Sequence, residues 1–246
     1  MLKHLLNLVV TACLAAWIGI AISACSKDPT AAQMSELPIA EIDRLAARGN
    51  LDAVTELSAR YAGGKDVAKD EQKALELLKR AIDKRHPYAT FLMGVAYANG
   101  IGVPQNEAEA VIWYQRAAEL GDMNGQYWLA FMVGNGRGGI GATWSGAVPL
   151  LVKAAEQGHS DARFMLGYLF QTGSGVDQNF EQAATWYRLA SQPRFNQKAQ
   201  FNLANMIAEG HVAWQDGDPG QKPVTVTKPL EAAGAGPSSP DRTSHE

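Results

Sequence analysis

Five stretches of this chain repeat one pattern of apolar positions at an almost constant period. Each opens on a small residue, Ala53, Ala89, Gly125, Ala162 or Ala199, at intervals of 36, 36, 37 and 37 residues. Four positions on stands Leu57, Met93, Leu129, Leu166 or Leu203, and eight positions on stands Tyr61, Tyr97, Val133, Phe170 or Ile207. A stripe at i, i+4 and i+8 is the buried face of an amphipathic helix, so each stretch is predicted to be helical. A glycine follows three positions later in every copy, at Gly64, Gly100, Gly136, Gly173 and Gly210, where the helix is predicted to end.

A second helix is predicted after each of the first four glycines. Asp70, Asn106, Thr143 and Asn179 are residue types that cap the free amides of a helix N-terminus. Glu109 and Gln182 lie three residues after their caps, approximating a capping box. Offsets of 4, 7, 8 and 11 from the caps give Ala74-Leu77-Leu78-Ala81, Ala110-Trp113-Tyr114-Ala117, Ala147-Leu150-Leu151-Ala154 and Ala183-Trp186-Tyr187-Ala190. Helix pairs that cannot each bury a face alone stack on one another, which implies a right-handed α-solenoid.

The copy from Ala89 to Gly121 resembles the Sel1-like repeat, a relative of the tetratricopeptide repeat. Met93-Gly94, Tyr97, Gly100-Ile101-Gly102-Val103, Trp113-Tyr114, Ala117-Ala118 and Gly121 carry the likeness. Leu166-Gly167, Gly173, Gly175-Val176 and Trp186-Tyr187 repeat it from Ala162. The copy from Ala53 lacks the Leu-Gly pair and the Trp, and the copy from Gly125 inserts Gly138-Gly139-Ile140-Gly141 in its turn. The expected architecture is an all-α solenoid of about four such repeats over residues 39–211. Residues 39–48 cap its front as a lone second-type helix, and Ala199 to Glu209 cap its back as a lone first-type helix.

The ends of the chain read differently. Lys3, the apolar run from Leu5 to Ile22, and small Ser23 and Ala24 form a secretory signal over residues 1–24. Ile22-Ser23-Ala24-Cys25 resembles the bacterial lipobox, which implies acylation of Cys25 and multiple acyl chains that hold the body stably at a membrane. An uncleaved membrane helix is the alternative, since Leu5 to Ile22 is close to the shortest span. Ser26 after the cysteine points to the outer membrane, on its periplasmic face. Residues 25–38 are expected to be a spacer, and residues 212–246, with Pro219, Pro223, Pro229, Pro237 and Pro240, a disordered tail.

Composition narrows the chemistry. Lys and Arg number 22 against 25 Asp and Glu, scattered along the repeats, so no basic footprint for nucleic acid is present. The two cysteines, Cys13 and Cys25, leave none for a disulfide framework or a metal site in the body. Gly134, Gly136 and Gly139 spell GxGxxG, but between two helices rather than after a strand. His86 and His159 occupy one repeat position, too far apart to share an ion, and read as surface or inter-repeat residues. Asp216 and Asp218 suggest a calcium loop, but Thr227 stands where the bidentate glutamate belongs. SxxK, GxSxG and HExxH are all missing. No enzyme activity, cofactor or metal is therefore expected.

The candidate site is a second stripe on the first-type helices, at offsets 2 and 6. It comprises Phe91 and Val95, Tyr127 and Phe131, Phe164 and Tyr168, and Phe201 and Asn205. By analogy with tetratricopeptide repeats this side lines a concave groove, where aromatic anchors bury much area with few rotors to freeze. The alternative is that the aromatic at offset 2 packs between neighbouring repeats. Asn99, Asn135, Asn205, Gln171 and Asp161 are the expected polar partners. The resemblance implies a scaffold or adaptor for protein partners in envelope assembly, secretion or polysaccharide export. A peptidoglycan- or β-lactam-binding protein, with a glycan ligand, and a regulatory inhibitor of an envelope protein are the competing readings.

Overall fold

The computed structural model describes residue 29, residues 31–192 and residues 196–219. No strand occurs among the described residues, and the elements follow one another as helices. They are α1 (Ala31–Met34), α2 (Ile39–Ala47), α3 (Leu51–Gly63), α4 (Glu71–Ile82), α5 (Pro87–Asn99), α6 (Glu107–Glu119), α7 (Met123–Asn135), α8 (Trp144–Glu156), α9 (Ser160–Thr172), α10 (Phe180–Ala190) and α11 (Gln197–Ala208). Each of α2 to α11 packs on its neighbours in the chain, and α5 also touches α7 as α9 touches α11. This is a solenoid: four helix pairs, α3 to α10, with α2 before them and α11 behind.

Local chemistry fixes the helix ends. Asp70, Asn106, Thr143 and Asn179 accept at their side chains from amides in the first turns of α4, α6, α8 and α10. The first-type helices are capped as regularly, by Asn50, His86, Asp122, His159 and Asn196. In the two histidine caps Nδ1 is the acceptor, 3.2 Å from the amides of Ala89 and Ala162. The expected surface or inter-repeat placement of these two residues did not include the cap, which an imidazole makes by accepting at Nδ1. At the other end Gly64, Gly100, Gly136 and Gly173 are left-handed.

The insertion after Gly136 leaves the stacking intact. A Cβ on Gly138 would stand 2.5 Å from Val111, at the start of α6. Gly102 lies as tightly on Leu75 of α4, and Gly175 on the backbone of Ser145 at the start of α8. Each turn thus rests on the preceding second-type helix. Gly138 keeps that position, with Arg137–Gly139 forming a 3-10 turn.

Two expected boundaries shift. The second half of the 25–38 spacer is packed: Met34 is buried with Ile42 and Leu45, and Leu37 lies against the same cluster. Arg60, only 2% exposed, donates to the Ser35 carbonyl and pairs with Glu56 and Asp66. The expected tail also begins later than residue 212. Val212 is buried with Leu203 and Met206, Trp214 packs on that cluster, and Asp218 pairs with Arg188 of α10. Apolar side chains at 34, 37, 212 and 214 cover the two open ends of the stack. Residues 1–24, the Cys25 site and Ser26, and the tail beyond Pro219 lie outside the described residues.

Candidate interaction groove

The first-type helices present one unburied face. It runs along offsets −1, 3, 6 and 10: Tyr88, Leu92, Val95 and Asn99 on α5; Asn124, Trp128, Phe131 and Asn135 on α7; Asp161, Met165, Tyr168 and Thr172 on α9. Trp128 and Tyr168 are exposed, as is Tyr88. The observed face is therefore turned by about one residue from the predicted stripe, keeping offset 6 and exchanging offset 2 for offset 3.

Offset 2 divides according to what faces it. Phe91 is only 7% exposed, and its ring stacks on Tyr114 of α6 at 5.7 Å. Its assignment to the groove is corrected: it packs between the two helices of its own repeat. Phe164 is half-buried against Tyr187 of α10 at 5.8 Å. Burial pushes the phenols of Tyr114 and Tyr187 up to about 12. Leu151 of α8 replaces that tyrosine in the third pair, and Tyr127 stacks instead on His159 at 4.5 Å. No second-type helix follows α11 among the described residues, and Phe201 is 66% exposed.

The polar candidates divide too. Asn99 and Asn135 are exposed and donate from Nδ2 to the carbonyls of Val95 and Phe131 on their own helices. Gln171 is drawn inward, since Tyr187 Oη donates to its Oε1 at 2.6 Å. That hydroxyl in turn accepts from Asn202 at 2.9 Å. Asn205 is half-buried on α11.

Four of the predicted residues meet in one place. Phe131, Asn135, Phe164 and Tyr168 line a cavity of about 420 Å3 between α7 and α9, floored by Trp144 and Leu169. The edge of Phe131 meets the Trp128 ring at 5.6 Å, and Trp128 stacks on Tyr114 at 6.2 Å. Rings thus run without a break from Tyr88 through Phe91, Tyr114 and Trp128 to Phe131. Tyr88 and Trp128 were missed because each lies off the 2 and 6 stripe. The 3.6-residue period joining −1, 3, 6 and 10 was the signal for both.

Among the described residues no group of three or more His, Cys, Asp or Glu side chains could hold a metal ion. No described helix is long and apolar enough to cross a membrane.

Known proteins share this architecture. Residues 51–86, 87–122 and 160–192 each match the model of the Sel1 repeat family. These three segments resemble the Sel1 repeat. The intervening pair, α7 and α8, is the copy with the glycine insertion and with Leu151 in place of tyrosine, and it stacks in register nonetheless. Among relatives, the chitin synthase regulator SKT5 of Saccharomyces cerevisiae is 32% identical over 157 residues, 61% of this chain and 23% of that protein. A protective antigen of uropathogenic Escherichia coli with the same fold superposes at a TM-score of 0.63, with 31% identity, over 71% of this chain and 37% of the other. A Sel1 repeat protein from Oxalobacter formigenes superposes at 0.61, with 26% identity, over 70% and 76%. The chain thus spans about a quarter of the yeast relative's length.

Proposed function

We propose that this protein is a scaffold without catalytic activity, holding protein partners at the cell envelope through the groove on its first-type helices. The observation that carries the reading is the cavity between α7 and α9, where Phe131 and Tyr168 flank Asn135 beside the exposed Trp128. Aromatic rings around a concavity with a polar rim are what a binding hot spot requires. The yeast relative is a chitin synthase regulator by name, which supports action on another protein rather than turnover of a substrate. The lipobox-like Ile22-Ser23-Ala24-Cys25 supports a lipid anchor on Cys25 and a place at the periplasmic face of the outer membrane.

Two variants test this reading in the full chain. Phe131→Ala with Tyr168→Ala abolishes recovery of crosslinked envelope partners while helicity by circular dichroism stays unchanged; undiminished recovery overturns the groove assignment. Cys25→Ser abolishes labelling of the protein by a palmitate analogue in cells. Undiminished labelling overturns the anchor.

A further inference from the structure

A second, larger cavity lies at the front of the same face. It encloses about 650 Å3 where the N-terminal ends of α3, α5 and α7 converge, and its walls include Pro87, Tyr88 and Met123. Three carboxylates line it, Asp52, Glu56 and Asp122, and no Lys or Arg does. Glu56 is held by Arg60 at 2.9 Å. Nε2 of His86 lies 3.0 Å from an Asp52 carboxylate oxygen, while Nδ1 of the same ring takes the Ala89 amide.

Asp122 is 91% buried by its 9% exposure, and burial raises its carboxyl above the ordinary value. Its Oδ1 accepts from the Gly125 amide at 2.7 Å. An anion is a poor occupant here, since the amides of Ala53, Ala89 and Gly125 are taken by the caps and carboxylates stand beside them. The charge trend continues along the face. From α3 to α9 the acidic or basic residues at offsets −1, 3, 6 and 10 are Asp52, Glu56 and Asp161, and the first basic one, Lys198, comes only on α11.

Accepting the groove as a protein-binding face, we propose that this front cavity receives a cationic side chain, a lysine or arginine, carried by the bound polypeptide. Asp52 and Asp122 neutralise the ammonium or guanidinium, and the exposed Tyr88 ring offers it a π face. The partner's basic residue enters at the α3–α7 end while its apolar residues occupy the cavity between α7 and α9.

The test uses the full chain and two labelled decapeptides, one alternating Lys and Gly and the other Glu and Gly, read by fluorescence anisotropy. The charges are removed without disturbing the caps: Asn caps as well as Asp at position 122, and Asp52→Asn keeps the oxygen that His86 bonds. The lysine peptide binds, the glutamate peptide does not, and Asp52→Asn with Asp122→Asn weakens the lysine peptide about tenfold and flattens its salt dependence. Equal binding of both peptides, no binding of either, or an unaltered double variant overturns the proposal. Phe131→Ala with Tyr168→Ala leaves the lysine peptide bound, so loss of partner recovery in that variant alone, with the asparagine pair fully active toward the lysine peptide, sinks this inference and leaves the scaffold reading standing.

Discussion

A Cβ on Gly94 would stand 2.6 Å from the ring of Tyr114, closer than two such groups can approach. The same interlock recurs between Gly167 and Tyr187 at 2.6 Å. Where the second-type helix carries Leu151 instead, the matching first-type position is Ala130, and where it carries Leu78, the position is Ser58, whose hydroxyl donates to the Ala74 carbonyl at 2.8 Å. A small residue on one helix is thus matched to a large one on its partner, repeat by repeat.

Gly94→Ala accordingly destabilises the protein although alanine is the better helix former. Tyr114 is held between Phe91 and Trp128 and has nowhere to retreat. Overpacking costs about 1–3 kcal/mol and the helix gain offsets up to about 1, leaving a net loss of about 1–2 kcal/mol in urea unfolding. Adding Tyr114→Leu recreates the Ala130 and Leu151 pairing, so the double variant loses less than the sum of the two single ones.

The aromatic stripe separates by stability. Phe91→Ala removes a buried ring and costs about 3–5 kcal/mol, whereas Phe201→Ala changes stability by less than about 0.5 kcal/mol. Thermal unfolding of the two variants reads the difference directly.

Arg188 and Asp218 bind the end of the packed body by two bonds of 2.8 Å, Nε to Oδ1 and Nη2 to Oδ2. Asp218 is 3% exposed at its side chain and Arg188 19%. Burial alone would raise the Asp218 carboxyl, but its bonds from Arg188 and the Gln215 amide outweigh that and hold it below the ordinary value. Asp218→Ala leaves a half-buried guanidinium without its partner and lowers stability by about 2 kcal/mol in denaturant unfolding.

Stability depends on pH through His159. Burial holds its imidazole below the ordinary 6.5, so as pH falls the unfolded chain takes up this proton before the folded one. The contribution is complete above about pH 6.5 and is lost as the solution is acidified toward the lower folded value. His159→Asn keeps a cap for the Ala162 amide without titrating. Its unfolding midpoint therefore falls less than that of the parent between about pH 7.5 and 5.5.

The repeats were legible because one physical demand recurs at each copy. Leu57, Met93, Leu129, Leu166 and Leu203 announce a buried face, and Asp70, Asn106, Thr143 and Asn179 announce a cap. The histidine caps were not legible, since His is an uncommon cap and its role depends on which nitrogen carries the proton. The groove was legible in part. Phe131 and Tyr168 stood out at offset 6, but whether an aromatic at offset 2 packs or faces solvent depends on the residue of the partner helix, Tyr114 against Phe91 or Leu151 beside Tyr127. That pairing is tertiary. The same holds at the ends, where Met34 and Asp218 lie in stretches of loop-like composition and are fixed by contacts with distant helices.

The groove as the partner-binding face is tested most directly by placing a photo-crosslinking phenylalanine analogue at position 168 in living cells. Ile112, exposed on the second-type helix α6, is the control. Protein adducts that form from position 168 and not from position 112 are the predicted result. Adducts of equal yield from both positions, or adducts from position 112 alone, would contradict it.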